Sequence, residues 1–393
     1  MAGGRAWRLP RPLVSGIWES LRRTLQKNDN RDERVRRHIG RLAGPILDRL
    51  AHRLAPRVAA LQERVPTVAL LPPAPDAGLD VAVAWGLKLY GSRVARELYG
   101  ARIQPLLDAD PTEPRPVPLS SKLCEEADIE SAWFVHWCRA LKMAPIYHRK
   151  VWEDCFALQA ISEAGLMRPG VQALVFGAGE EALASLLAAR GVDVLATDLP
   201  PDAPEAAGWI ETGQHASLDR LFKPQLVDRE TFDRHVRFRP VNMNDVPADL
   251  EGRFDLCWSL CSLEHVGSTE LACRFVERSL DCLRPGGLAI HTTEFNLSSE
   301  TDTVREGWCV LFTRPQIEAL CDRLRAAGHV VGPVCYDTGS EPLDQFVDLP
   351  PFPHPSLEWR SPNALHLPPA PHLRLALLGH VSTSIALIVR RGA

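Results

Sequence analysis

The residues best suited to chemistry lie in the second half of the chain, at the ends of apolar runs. "ALVFGAGEEALAS" (173–185) carries a strand-like run into Gly177, Ala178 and Gly179, and from there into a helix-like segment. Glycines let the backbone turn sharply and let a ligand approach bare peptide groups. A helix that starts there directs unpaired N–H groups at that ligand. The next apolar run, "VDVLAT", ends at Asp198, and a carboxylate at a strand end can accept bonds from ribose hydroxyls. The combination suits a ligand with a nucleoside. Further on, Glu264 and His265 follow the run "FDLCWSL", and Glu294 lies near the end of "GLAIHTTEF". Carboxylates and imidazoles so placed are candidate general bases.

The turn from Gly177 to Ala182 satisfies G-x-G-x-x-A, so a nicotinamide dinucleotide fits it as far as the glycines go. Glu180 and Glu181 weigh against that ligand, because they put negative charge where a pyrophosphate would sit. S-adenosyl-L-methionine (SAM) has no phosphate, and its ammonium and sulfonium suit acidic neighbours. Three later segments extend the pattern. "VRFRPVNMNDVP" (236–247) is a strand leading into Asn242 and Met243. "RFDLCWSLCSLEHVGS" (253–268) is a strand leading into a helix. "SLDCLRPGGLAIHTTEFN" (279–296) is a helix, a turn at Arg284-Pro285-Gly286-Gly287, and a strand. With F-G-x-G-E, T-D, F-D-L, L-E-H and L-R-P-G-G in that order, residues 171–393 resemble the class I SAM-dependent methyltransferases. "YHRKVWE", "TGQHASLD", "HTTEFNLSS", "VDLPPF" and "GHVSTSIALIVRRG" are similar to a bacterial subfamily associated with cell-envelope glycan and glycosyltransferase loci.

The resemblance implies roles by position. Gly177, Ala178 and Gly179 pass beneath the amino-acid part of SAM, with Glu180 near its ammonium. Asp198 holds both ribose hydroxyls, and Leu199 packs on adenine. Asn242 stands where many relatives have Asp facing the adenine amine, and an Asn oxygen can accept the same bond. Met243 covers the adenine ring. Ser259, Leu260 and Cys261 lie beside the methyl group. Direct displacement needs an acceptor in line with that methyl and, for a hydroxyl, a general base. His265, Glu264 and Glu294 are the candidates, while His291 is expected to face another environment. L-E-H also has a structural reading, since a carboxylate at a helix start stabilises the helix. In the insert 199–235, Trp209, Gln214 and His215 either border the acceptor pocket or belong to a surface helix. The expected reaction is methyl transfer to an oxygen, less readily a nitrogen, of a small molecule, sugar or glycan. A nicotinamide oxidoreductase and a non-catalytic adaptor are the competing classes.

These residues need a sheet to hold them. Strands are expected at 172–177, 192–197, 236–241, 254–259, 287–292, 331–336 and 384–390, and helices at 179–190, 214–223, 269–283 and 314–327. Such alternation predicts an α/β, Rossmann-like seven-stranded sheet with helices on both faces. Upstream lie a helix at 79–100 and an aromatic-rich stretch whose helix, Tyr147 to Gly165, can fold over the cofactor. The expected parts are 1–115, a basic helical extension with Pro-rich linkers; 116–170, the covering segment; and 171–393, the SAM-binding domain. The Pro-rich stretch 342–371 lies where substrate lids often sit in this fold.

At 393 residues and 45% hydrophobic, the chain can bury a full-sized core. Its net charge of −4 gives no general field for nucleic acid, and no N/D-P-P-Y/F motif follows the fourth strand. Residues 1–65 carry 15 Lys/Arg against 6 Asp/Glu. Apolar residues recur there at Ile39, Leu42, Ile46, Leu50, Leu54, Val58, Leu61 and Val65, a helical stripe divided by Gly44-Pro45 and Pro56. Residues 15–65 therefore offer a surface for a protein partner or an anionic membrane face. Ten cysteines without a C-x-x-C pair read as free thiols in a reducing cytosol. His354, His366, His372 and His380 lack metal-ligand spacing. No signal peptide and no long apolar span is evident. The expected location is cytoplasmic, with peripheral contact to the inner membrane left open.

Overall fold

The computed structural model describes residues 81–109, 114–350, 352 and 370–393. Ala77–Ala393 forms one compact unit; the other, Met1–Asp76, lies outside the described residues, and with it the basic stripe of 15–65.

The strands are β1 (Lys122–Leu123), β2 (Gln172–Val175), β3 (Asp193–Asp198), β4 (Val236–Pro240), β5 (Phe254–Leu260), β6 (Leu283–Asn296), β7 (Val330–Val331), β8 (Val347–Asp348), β9 (Arg374–Leu377) and β10 (His380–Arg390). They form one sheet in the order β4-β3-β2-β5-β6-β10. The first five run parallel, and β10 is antiparallel to β6. The far edge of β10 is shared by three short strands: β7 pairs with Val389 and Arg390, β1 with Ile385 and Ala386, and β9 with His380 to Ser382. The strand order reverses between β2 and β5, and ligands of open α/β sheets bind at such a crevice, at the carboxyl ends of the strands.

Alternation along each strand divides the core between the two faces. Val175, Leu256, Trp258 and Ile290 face α3 (Arg149–Glu163), whose buried residues include Trp152 and Phe156. This helix follows α1 (Val81–Leu98) and α2 (Ala132–Ala140). Leu174, Phe176, Cys257 and Ala289 belong to the other core, with Phe275 and Val276 of α5 (Thr269–Asp281) and Ile317 and Leu320 of α6 (Arg314–Ala326). The short α4 (Leu183–Ala188) starts beyond the glycine turn. Ser268 caps α5 by accepting the Leu271 N–H at 3.1 Å.

Several boundaries differ from expectation. The helix expected at 214–223 is a single turn, Leu218–Leu221, in an insert that also carries the helices Ala207–Glu211 and Arg229–His235. Strand 331–336 shrinks to two residues because β1 and β9 occupy the rest of that edge. Arg284-Pro285-Gly286-Gly287 bulges within β6: Phe254 pairs with Leu283, but Leu256 pairs with Leu288. A side chain on Gly287 would come within 2.9 Å of the Arg284 carbonyl oxygen, which is why the bulge needs glycine there. None of the described helices is long and apolar enough to cross a membrane.

Candidate active site

Loops at the carboxyl ends of β2, β3, β4 and β5 converge at the reversal point. The turn after β2 requires its glycines. Gly177 has φ +61° and Gly179 φ +51°. A Cβ on Gly177 would lie 2.5 Å from Ser262 Oγ, and one on Gly179 would lie 3.1 Å from the Gln214 carbonyl oxygen. Ser262 Oγ also donates to the Gly177 carbonyl at 3.2 Å, joining the turn after β2 to that after β5.

Asp198 organises the β3 end. Its Oδ2 accepts the Gly179 N–H at 3.1 Å and the Ala216 N–H at 2.9 Å, and Oδ1 accepts the Leu199 N–H at 2.8 Å. A carboxylate has about four acceptor positions, so one ribose hydroxyl can be held without moving the loop, rather than the two expected. Asn242 Oδ1 accepts the Asn244 N–H at 2.9 Å and keeps a second lone pair, enough for one amine donor. Met243 is buried close to Gly177.

The two glutamates of the turn separate. Glu180 lies 3.9 Å from Arg220. Glu181 points inward, where its Oε2 accepts Trp258 Nε1–H at 2.9 Å and its Oε1 is buried without a hydrogen-bond partner. Burial, and then Asp154, push the Glu181 carboxyl well above its ordinary range. Asp154 itself is raised to about 8 by burial and by Glu153. An orphaned acidic oxygen beside the glycine turn fits an ammonium, the group that SAM carries and a dinucleotide lacks.

Past Leu260, Cys261 has φ +44°. Its N–H meets the carbonyl of Thr292 at 3.1 Å and Thr292 Oγ1 at 2.9 Å. Ser259 points away from this side: its hydroxyl is 2.8 Å from His291 Nδ1, and His291 Nε2 is 3.1 Å from Ser279 Oγ. Strand alternation therefore corrects the placing of Ser259 beside the methyl group, whereas His291 faces the other side as expected. Burial lowers His291 to about 3, so it stays neutral.

Leu263–His265 is a separate 3-10 turn, and α5 begins only at Thr269. Glu264 therefore does not stabilise a helix start. His265 lies between two tryptophans, edge-on to Trp209 at 4.8 Å and stacked on Trp308 at 5.9 Å. Its Nδ1 is 2.7 Å from the Trp308 carbonyl oxygen. Glu264 is buried; Thr293 Oγ1 donates to its Oε2 at 3.3 Å, and its Oε1 lacks a hydrogen-bond partner and lies 3.9 Å from His265 Nε2. Burial raises the Glu264 carboxyl, although His265 and Lys150 oppose the shift.

Glu294 has different surroundings. Arg149 pairs with Oε1, and Ser382 Oγ donates to Oε2 at 2.6 Å. Burial works against its charge, yet Arg149 and Lys150 outweigh it and hold Glu294 below the usual range. Glu153, one turn beyond Arg149, accepts from Cys261 Sγ at 3.0 Å, from Thr292 Oγ1 at 2.8 Å and from Ser384 Oγ. Glu153 thus ties β5, β6 and β10 to α3. Sequence reasoning placed Arg149 in a covering segment but missed Glu153; the available signal was a pair of charges one turn apart on a helix of buried aromatics. His372 and Asp348 instead form a cluster 2.8 Å apart, with His372 stacked on His148 at 4.6 Å. His354 and His366 lie outside the described residues.

Residues 154–331 match the family model described as "Methyltransferase domain". The match marks this segment as similar to methyltransferase domains. The match decides against the nicotinamide reading. No curated protein matches the sequence. Among solved structures, the domain is similar to phosphoethanolamine N-methyltransferase 2 of Haemonchus contortus in complex with SAM, at 18% identity and TM-score 0.29, over 42% of this chain and 35% of that one. It is similar to a SAM-dependent methyltransferase from Mesorhizobium loti, at 14% identity and TM-score 0.31, over 60% and 98%. The 1,6-didemethyltoxoflavin-N1-methyltransferase of Burkholderia thailandensis, with S-adenosylhomocysteine bound, gives 19% identity and TM-score 0.33 over 71% and 94%. The chain spans less than two thirds of several such neighbours, 58% of one and 54% of another. At these identities and scores the neighbours carry no argument about the acceptor.

Proposed function

We propose that this protein transfers a methyl group from SAM to an oxygen, or with less support a nitrogen, of a sugar or glycan acceptor, with His265 as general base. The single observation that carries the base assignment is the Nδ1 contact to the Trp308 carbonyl at 2.7 Å. A carbonyl only accepts, so Nδ1 must carry the proton, and in the neutral ring Nε2 keeps its lone pair. Bound at the glycine turn, SAM supplies an electrophilic methyl group. Glu181 is suited to hold the ammonium end, the Gly177–Gly179 backbone to approach the amino-acid part, Asp198 to hold a ribose hydroxyl, and Leu199, Asn242 and Met243 to hold the adenine.

Two carboxylates then take other roles. Glu294, with both oxygens engaged, is suited to fixing Arg149 rather than to taking a proton. Glu264, next to His265, is suited to contacting the acceptor. The sugar reading is supported by the sequence resemblance to glycan-locus methyltransferases and by the half-exposed indole of Trp308 beside the base, since ring C–H faces pack well on aromatic faces. The test is calorimetric and chemical. Wild-type protein should bind S-adenosylhomocysteine saturably, Asp198→Ala should lose that binding, and labelled methyl should pass from SAM into a saccharide fraction of the source cell. Absence of saturable binding to the wild type would overturn the proposal.

A further inference from the structure

Besides the cations Arg149 and Lys150, four titratable groups crowd the space below His265, and three are already committed. Glu294 is paired with Arg149, Cys261 donates its thiol to Glu153, and Glu153 takes two hydroxyls besides. Glu264 differs. One of its carboxylate oxygens lies within 4.8 Å of a Cys261 and a Glu294 ligand atom, and its Oε1 has no hydrogen-bond partner. A metal ion would need all three side chains, and Arg149 and Glu153 hold two of them. An N–H donor needs only Glu264. Side-chain exposure rises from 1% at Glu264 to 19% at His265, and Trp308 is 49% exposed, so the aromatic cluster lies on the solvent side of the carboxylate. Tryptophan faces attract cations, and a buried carboxylate oxygen left unpaired is costly unless a ligand pairs it.

Building on the saccharide reading above, we propose that Glu264 anchors a cationic amino group of the acceptor, and that the acceptor is an amino sugar presenting a hydroxyl next to that amine. The 3.9 Å between Glu264 Oε1 and His265 Nε2 lets donors on adjacent ring carbons reach both atoms at once. The amine meets the carboxylate and the neighbouring hydroxyl meets the base. Trp308 and Trp209 flank the ring that carries them.

The test uses the full chain loaded with S-adenosylhomocysteine and three probes: the methyl glycosides of glucosamine, N-acetylglucosamine and glucose. Calorimetry or ligand-observed NMR should show the glucosaminide binding about tenfold or more tighter than the other two, because only it supplies the cation. Glu264→Gln should remove that preference while S-adenosylhomocysteine affinity and the thermal midpoint stay near wild type. Equal binding of all three probes, as expected if Lys150 already neutralises Glu264, overturns the proposal. So does a preference that survives Glu264→Gln, or no glucosaminide binding by protein that does bind S-adenosylhomocysteine. Failure to bind S-adenosylhomocysteine at all removes the parent reading, and this inference with it.

Discussion

The imidazole of His265 donates through Nδ1 to the carbonyl oxygen of Trp308, 2.7 Å away. That contact sets the tautomer and turns Nε2 toward Glu264. If Nε2 takes the acceptor proton, His265→Ala should slow methyl transfer by about 10²- to 10⁴-fold, the usual size of a general-base contribution. Its affinity for S-adenosylhomocysteine should be unchanged. Single-turnover transfer and calorimetry on the same preparations separate the two effects, and equal losses in both would mean that His265 shapes the cofactor site instead.

Gly177→Ala should be severe. The residue sits at φ +61°, which costs a non-glycine side chain about 1–3 kcal/mol, and the new methyl group would press on Ser262 at 2.5 Å. Adding Ser262→Gly should recover the steric part and leave the backbone part. Denaturant midpoints for the single and double variants check this, and full recovery in the double variant would disprove the backbone contribution.

Arg149 should control the acid limb of stability. It keeps the folded value of Glu294 below the unfolded one, so the stability gained from this carboxylate is present above the ordinary carboxylate range and fades as pH falls through the lowered value. Arg149→Met leaves buried acids uncompensated and should cost about 3–5 kcal/mol at neutral pH. Because Glu294 would then be raised by burial, the loss should shrink as pH falls toward 5. Urea unfolding at pH 7 and 5 would show it, and a loss independent of pH would refute the electrostatic account.

Asp154 should act with the opposite sign. Its folded value is raised to about 8, so its stabilising contribution is full below the unfolded value and is lost as pH rises toward 8. Asp154→Asn should therefore gain on the wild type as pH rises from 6 to 9, ending a few degrees higher in thermal midpoint at pH 9. Thermal scans of both proteins at each pH are sufficient. A gap that does not widen with pH would show that Asp154 is solvated and titrates alike in the folded and unfolded chain.

Much of this protein was readable in advance because the controlling physics is local. Gly177 and Gly179 announce a turn that only glycine makes easily, and apolar runs alternating with helical periods announce a sheet of mostly parallel strands. The order of F-G-x-G-E, T-D, F-D-L, L-E-H and L-R-P-G-G carried the resemblance to methyltransferases, and the match over residues 154–331 agrees with it. What the sequence could not decide was how side chains far apart in the chain divide a few buried charges. Glu180 and Glu181 are neighbours, yet only Glu181 lies against Trp258, 77 positions away. Glu264 and Glu294 are both buried carboxylates, yet only Glu294 meets Arg149. Ser259 and Cys261 share a strand end, but side chains two apart share a face only while the strand stays regular, and Cys261 leaves it at φ +44°. A carboxylate's role depends on which donors reach it, and long-range packing of α3, β6 and β10 sets those donors.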